Sequence, residues 1–335
     1  MFIINNNNLL KGVINMNNLK KVGLTALAGA LVSVSANAAD LSVTGGASIT
    51  FSGEEKTTKG NGWTMNEGVT FAASAEQDNG WNISVTQVLN SDDNNSTGGE
   101  SVFDTRILTV DMGDTGVLTF AGSGGSSVLN AIDDVTPTAG EESWDDVQTG
   151  VADQIPGGTG GANMFHYSNS SLMDGLTVSA SYTPSNGDTE DESSSDYGIK
   201  FTGIDGLTIG AAAGEDNTVA TASVDITNMY ATYTMDAFSI GYQVSEADSE
   251  TGSADKDFSA IGLSYAVSED MSVSINTSTI EYEDATKSDH EALGISVSYT
   301  MGSMSVKANH NTVDNAGGTA ATDRSGYALT LGFAF

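Results

Sequence analysis

Hydrophobic and polar residues alternate along most of this chain with a period of two. Over residues 41–51 the odd positions are apolar or glycine, and the even positions are serine, threonine or glycine. The closing segment 326–335 repeats the pattern, with Tyr327, Leu329 and Leu331 in one phase and small residues in the other. A period of two places alternate side chains on opposite faces of an extended chain, so both segments are predicted to be β-strands.

Fourteen further segments between these ends have strand-like patterning. They lie near 64–76, 80–90, 102–111, 116–121, 162–170, 174–184, 195–202, 206–214, 225–234, 236–245, 256–267, 270–282, 288–300 and 302–312. Two of them, 102–111 and 225–234, carry apolar residues in both phases, and Gln87 falls on the apolar phase of its segment. The sequence therefore predicts an all-β chain of sixteen strands.

The predicted connections alternate between short and long. The short ones contain glycine, aspartate or asparagine, which suit tight hairpins, whereas the long ones are polar and acidic. Seven short and eight long connections are expected for sixteen antiparallel strands whose two termini lie on one side. Transmembrane β-barrels have an even strand number with short turns on one side and longer loops on the other. The predicted fold is a 16-stranded antiparallel transmembrane β-barrel; a soluble β-sandwich, which the periodicity alone also allows, has no reason to sort its loops.

The N-terminus has the features of an export signal. Lys20 and Lys21 precede an uncharged run over 22–34, and Ala36-Asn37-Ala38 supplies small residues for cleavage. We predict a signal peptide over 1–38, with Met16 as the true start, followed by a barrel domain over 39–335. An ordered amphipathic helix is the alternative interpretation of this segment.

Charge and cysteine content exclude several classes of protein. The chain has 44 acidic and 11 basic residues and a net charge of −33, which argues against a nucleic-acid partner. It has no cysteine, so neither a disulfide nor a cysteine-based metal site is possible. No cofactor is predicted. Acidic pairs such as Asp133-Asp134 and Glu141-Glu142 would suit Ca²⁺, but no EF-hand spacing supports such a site.

The ends of the predicted mature chain resemble a known family. The run ADLSVTG at 39–45 and the run YALTLGFAF at 327–335 are similar to those of Gram-negative general diffusion porins, most closely the alphaproteobacterial type. This resemblance implies an outer-membrane location, a homotrimer embedded in outer-membrane lipids, and passive diffusion of small hydrophilic solutes and ions. It also implies that the third outer loop folds inward, and that barrel-assembly machinery reads the last strand, which ends at Phe335.

One connection, 122–161, is by far the longest and is the predicted constriction loop. It carries seven acidic residues and no basic one: Asp133, Asp134, Glu141, Glu142, Asp145, Asp146 and Asp153. If it folds into the lumen, these carboxylates raise the local concentration of cations, so we predict cation preference. The opposing wall charges are predicted to be Lys200 and Lys307, with Arg106 as a third candidate. The alternative is that these acids belong to an ordinary solvated loop.

The family commonly sets wall arginines against the acidic loop, and here the mature chain has only Arg106 and Arg324. No enzyme is predicted, because the three histidines lie far apart on different strands and no nucleophile stands near them. A substrate-selective channel on the same fold is one alternative function. A non-conducting surface adhesin or coat β-protein is the other.

Overall fold

The computed structural model describes residues 40–55, 62–90, 103–143, 157, 160–185, 192–217, 223–249 and 255–335. In chain order its strands are β1 (Asp40–Glu55), β2 (Gly62–Glu76), β3 (Asn82–Asn90), β4 (Phe103–Asp111), β5 (Val117–Ser123), β6 (Gly125–Ser126), β7 (Gly160–Gly161), β8 (Met164–Met173), β9 (Leu176–Thr183), β10 (Ser194–Ile204), β11 (Leu207–Asp216), β12 (Val224–Met235), β13 (Phe238–Ser249), β14 (Lys256–Ala266), β15 (Met271–Tyr282), β16 (His290–Met301), β17 (Met304–Asp314) and β18 (Arg324–Ala334).

The long strands close into one barrel. Each pairs antiparallel with its neighbour in the chain, and β1 pairs with β18 to complete the ring. The two-residue strands β6 and β7 form a separate ladder and leave sixteen strands in the barrel, which confirms the predicted strand number and fold class. Among the described residues, single 3-10 turns lie at Gly113–Thr115, Asn130–Ile132 and Ala316–Gly318. Within the described ranges, no helix is long and apolar enough to span a membrane.

Short turns lie at the barrel end that also carries both termini of the barrel. In two of them, Asp174-Gly175 and Asp205-Gly206, the glycine has a φ of 76° and 73° respectively. Glycine adopts such positive φ values without steric cost, which suits it to these tight connections. The predicted sorting of short and long connections is therefore present in the structure.

The two phases of the strands have opposite character. On β13, Phe238, Ile240 and Tyr242 are 51%, 47% and 53% exposed, whereas the intervening Gly241 and Gln243 are buried. Large apolar side chains thus form the outer surface, and small or polar residues face inward. This is the reverse of a soluble β-sandwich, whose apolar phase is buried in a core.

Candidate pore constriction

The connection after β5 enters the barrel and follows its inner face. We call residues 127–143 the inner segment. At its start, backbone N–H groups of the inner segment bond to side chains of the barrel wall. The Val128 N–H donates to Ser181 Oγ at 2.9 Å, and the Leu129 N–H donates to the Asp196 carboxylate at 3.1 Å. Val128 and Leu129 also pack against inward apolar residues of β11, β12 and β13, including Ile226.

Three inward carboxamides hold the rest of the inner segment. Asn228 Nδ2 donates to the Ile132 carbonyl at 2.7 Å, and Asn311 Nδ2 donates to the Glu142 carbonyl at 2.7 Å. Gln243 binds twice. Its Nε2 donates to the Asp133 carbonyl at 2.8 Å, and its Oε1 accepts the Val135 N–H at 3.3 Å. The three carboxamide residues are at most 1% exposed, so these hydrogen bonds are shielded from water.

Serine hydroxyls add anchors on β15 and β16. The Ala139 N–H donates to Ser274 Oγ at 2.8 Å, and Ser274 shares a 2.6 Å hydrogen bond with Ser296. Farther along, the hydroxyls of Ser143 and Ser278 lie 3.1 Å apart. The contacts of the inner segment therefore span the strands from β9 to β17.

The wall beneath the inner segment is built with glycines. A Cβ added at Gly262 would lie 2.8 Å from the Pro137 carbonyl oxygen, and one at Gly198 would lie 2.5 Å from the Val128 side chain. Gly241, under the Pro137 ring, and Gly294, under Ser143, are crowded in the same way. Both distances are shorter than van der Waals contact, so only glycine lets the inner segment lie this close to the sheet.

The wall outside this path has a different surface. The inward positions of β18 and β1 to β5 are mostly hydroxyl-bearing or small. They include Ser48, Thr50, Thr64, Asn66, Thr70, Ser84, Thr86, Thr109, Thr119 and Thr330. Thr50 and Thr330 share a 2.9 Å hydrogen bond across the closure of the barrel. We call this surface the hydroxyl wall.

The inner segment carries four of the predicted carboxylates. Glu141 lies 4.0 Å from Lys307 Nζ, which is inward on β17, as predicted. Asp134 and Glu142 form a side-chain hydrogen bond; burial raises the pKa of Asp134, and the hydrogen bond partly opposes that rise. Asp133 is held through its backbone by Gln243. The other three predicted residues, Asp145, Asp146 and Asp153, lie outside the described residues.

The predicted wall bases divide between the two faces. Lys200 is exposed on the inward phase of β10, two residues beyond Gly198. Arg106 is aligned with Gln87 and shares the phase of Leu108, which is 40% exposed on the outer surface. Arg106 therefore points outward, and its predicted position in the pore wall is corrected. The register of β4 shifts between Arg106 and Ile107, an irregularity that the alternation of residue types does not reveal.

The carboxamides that anchor the inner segment were not among the sequence-predicted site residues. Their inward phase is readable from the alternation, since Gln243 lies between Tyr242 and Val244. What the sequence does not signal is the acceptor, because the Asp133 carbonyl is 110 positions away in the chain. Among the described residues no group of three or more histidine, aspartate or glutamate side chains could hold a metal ion.

A closed barrel with an apolar exterior, a polar interior and a chain segment along its inner wall defines the class of transmembrane β-barrel channels. Residues 23–318 match the family model described as Gram-negative porin. The chain belongs to this family; it is a passive channel of the outer membrane and not an enzyme. No curated protein sequence matches the chain.

Solved structures share the fold at low sequence identity. An anion-selective porin from Comamonas acidovorans is 12% identical with a TM-score of 0.70, covering 89% of this chain and 100% of that one. OmpF of Salmonella typhi, in complex with daunomycin, is 12% identical with a TM-score of 0.68, covering 88% and 97%. OmpT of Vibrio cholerae, in a trimer form, is 13% identical with a TM-score of 0.67, covering 89% and 99%. At these identities the likeness shows the fold alone.

Proposed function

We propose that this porin passes small hydrophilic solutes and ions between the inner segment and the hydroxyl wall, and that it prefers cations. The observation that carries the cation preference is the distribution of charge in the lumen. Carboxylates lie on the inner segment, whereas the middle of the hydroxyl wall offers neutral oxygen atoms; charged inward groups of that wall, such as Glu54 and Arg324, lie at strand ends. Fixed carboxylates at a constriction attract cations and repel anions.

Basic groups offset this charge only in part. Lys307 stands beside Glu141 at 4.0 Å and reduces its field, and Lys200 lies on the β10 wall two residues beyond the Val128 contact at Gly198. Asp133 and the hydrogen-bonded pair of Asp134 and Glu142 remain as further sources of negative potential. The fold does not decide ion preference, since the Comamonas acidovorans protein is an anion-selective porin with the same barrel. Local charge does.

The proposed assembly is a homotrimer, exported by the leader over 1–38 and folded by barrel-assembly machinery that reads the end of β18. The position of Phe335 supports a role for the C-terminus in closing the barrel. Its N–H and C=O both bond to Gly45, at 2.8 and 2.7 Å, and a Cβ added at Gly45 would lie 2.6 Å from its ring. Phe335 thus stabilises the junction between β1 and β18.

Reversal potentials in a planar bilayer with a KCl gradient test the cation preference. A unit charge about 8 Å from a passing ion contributes about 0.5 kcal/mol in water, or a factor of about two in local ion concentration. Replacing two carboxylates, Asp133→Asn with Asp134→Asn, should therefore lower the cation-to-anion permeability ratio by about two- to sixfold, less at high salt.

The matched control removes two carboxylates from the outer surface, Glu246→Gln with Asp257→Asn. These residues face each other across β13 and β14 in the outward phase. The control should leave the permeability ratio unchanged. Anion preference in the wild type, or an equal shift in the control, would contradict the proposal; a protein that inserts but conducts no current would contradict the channel itself.

A further inference from the structure

A cavity of about 310 Å³ lies between the start of the inner segment and the barrel wall. Val128, Ala131 and Ile132 form its side toward the inner segment. The other side is formed by inward residues of β8 to β12, which carry polar side chains; they include His166, Ser168, Thr177, Ser179, Lys200 and Tyr230. We call this cavity the lysine niche.

The charge of the lysine niche is opposite to that of the protein as a whole. The chain has 44 acidic residues, yet none of the described residues that line the niche is acidic, whereas Lys200 and His166 are basic. The Asp196 carboxylate, on the same strand as Lys200, accepts the N–H groups of Val128 and Leu129 at 3.4 and 3.1 Å. The acidic lumen therefore contains a basic recess.

Several hydrogen-bond donors of the niche are not used by the protein itself. Within the described ranges, no ion pair or hydrogen bond engages Lys200 Nζ, the Tyr230 hydroxyl or the His166 ring. The same holds for the hydroxyls of Thr177 and Ser179. Donors that converge beside a positive charge suit the oxygen atoms of a small anion, because hydrogen bonds between charged partners are short and strong.

The strand register brings three of these donors into one row. Thr177 on β9 is aligned with Lys200, Lys200 with Gly210 on β11, and Gly210 with Tyr230 on β12. A Cβ added at Gly210 would lie 2.8 Å from the Tyr230 hydroxyl oxygen, so the tyrosine ring extends over this glycine toward Lys200. Lys200 is exposed although it points inward, so the niche opens to the water of the lumen.

The niche lies on the same side of the barrel as the inner segment. Gly198, two residues before Lys200, is the position where an added Cβ would lie 2.5 Å from the Val128 side chain. Lys200 therefore does not face the inner segment across the lumen but lies next to its path along the wall. An anion held there is separated from the hydroxyl wall by the open part of the pore.

We propose that the lysine niche binds a small oxyanion, a phosphate or a carboxylate, through Lys200 and the hydroxyls of Tyr230 and Thr177. The lysine ammonium is a compact charge with three donors, and the two hydroxyls add one donor each. The inference rests on the proposed function for its water-filled lumen and deepens it. Cations are attracted by the carboxylates of the inner segment, whereas oxyanions in transit bind beside it.

Line broadening of inorganic phosphate in 31P NMR spectra tests the site on the full chain in a phosphate-free detergent. The wild type should broaden the phosphate signal in a saturable manner. Lys200→Gln should raise the half-saturating phosphate concentration about tenfold, because it removes a charged donor. Tyr230→Phe keeps the ring and removes one neutral donor, so it should raise that concentration about threefold.

Lys287→Gln is the matched control. It removes the same charge from a lysine between β15 and β16 at the long-loop end, where Nζ lies 4.3 Å from the centre of the Tyr282 ring. The control should leave the phosphate saturation curve unchanged. A Lys200→Gln curve equal to that of the wild type, or an equal shift in the control, would overturn the proposal.

Competition identifies the kind of anion. Displacement of phosphate by potassium acetate at a similar concentration would support a site for carboxylates and phosphates alike, and retention of phosphate in acetate would support a phosphate site. Displacement by potassium chloride as effective as that by acetate would overturn the proposal, since the niche would then act only as a diffuse positive charge.

Channel recording separates this inference from the proposed function. Phosphate added to a KCl solution should increase the open-channel current noise of the wild type and leave that of Lys200→Gln unchanged. A protein that binds phosphate but conducts no current would overturn the channel and leave the niche. A conducting, cation-preferring channel whose noise and 31P line width do not respond to phosphate would overturn the niche alone.

Discussion

The Gln243 carboxamide is the anchor whose removal most directly tests how the inner segment is held. It is fully buried and binds two backbone groups, the Asp133 carbonyl at 2.8 Å and the Val135 N–H at 3.3 Å. Gln243→Ala leaves both groups without these partners. A buried polar group that loses its partner costs about 1–3 kcal/mol, so the two together cost about 2–6 kcal/mol if the site stays dry.

Water can enter the space left by the shortened side chain, and the loss then falls to that of two ordinary hydrogen bonds, about 1–3 kcal/mol. Since about 1.4 kcal/mol is a tenfold change in an equilibrium constant, local detachment of the inner segment should become about ten- to a hundredfold more frequent. The bonds from Asn228 and Asn311 remain, at 2.7 Å each, so the segment should loosen without leaving the wall.

Single-channel recording is the appropriate assay. Gln243→Ala should increase open-channel current noise and shift the mean conductance, while the thermal unfolding temperature of the barrel stays close to that of the wild type. Asn66→Ala is the matched control, because Asn66 is an inward carboxamide on the hydroxyl wall, away from the path from β9 to β17. Unchanged noise in Gln243→Ala, or an equal increase in Asn66→Ala, would refute the reasoning.

Three further predictions concern packing, pH and barrel closure. Gly262→Val should displace the inner segment and alter unit conductance at a cost of about 1–3 kcal/mol, because even a Cβ would lie 2.8 Å from a carbonyl oxygen of that segment; conductance traces identical to the wild type would contradict it. Since the pKa of Asp134 is raised by burial, cation preference should begin to fall at a higher pH than for a free aspartate as the solution is acidified, and Asp134→Asn should remove that part of the pH dependence in reversal-potential measurements. The folded state binds the extra proton, so the same shift should stabilise the packing of the inner segment as the pH falls. Gly45→Val should displace the Phe335 ring and slow folding into detergent micelles, as followed by heat-modifiable gel mobility.

Local pattern was sufficient for the architecture. Side chains in a strand alternate between two faces, so residues such as Tyr242 and Gln243 reveal their sides of the sheet without knowledge of the neighbouring strand. Short turns with glycine or aspartate revealed which strands form hairpins. Together these signals give sixteen antiparallel strands, the sorting of connections and an acidic loop of unusual length.

Only the tertiary structure decided which residues of the inner segment contact which residues of the barrel wall. The bonds from Gln243 to Asp133 and from Asn311 to Glu142 join positions 110 and 169 residues apart, and no local pattern encodes such a pairing. The outward position of Arg106 is defined by its alignment with Gln87 on the paired strand β3. The physical reason is that alternation fixes the phase of each strand, whereas long-range contact depends on register and on the path of a loop, and both are set by the whole closed sheet.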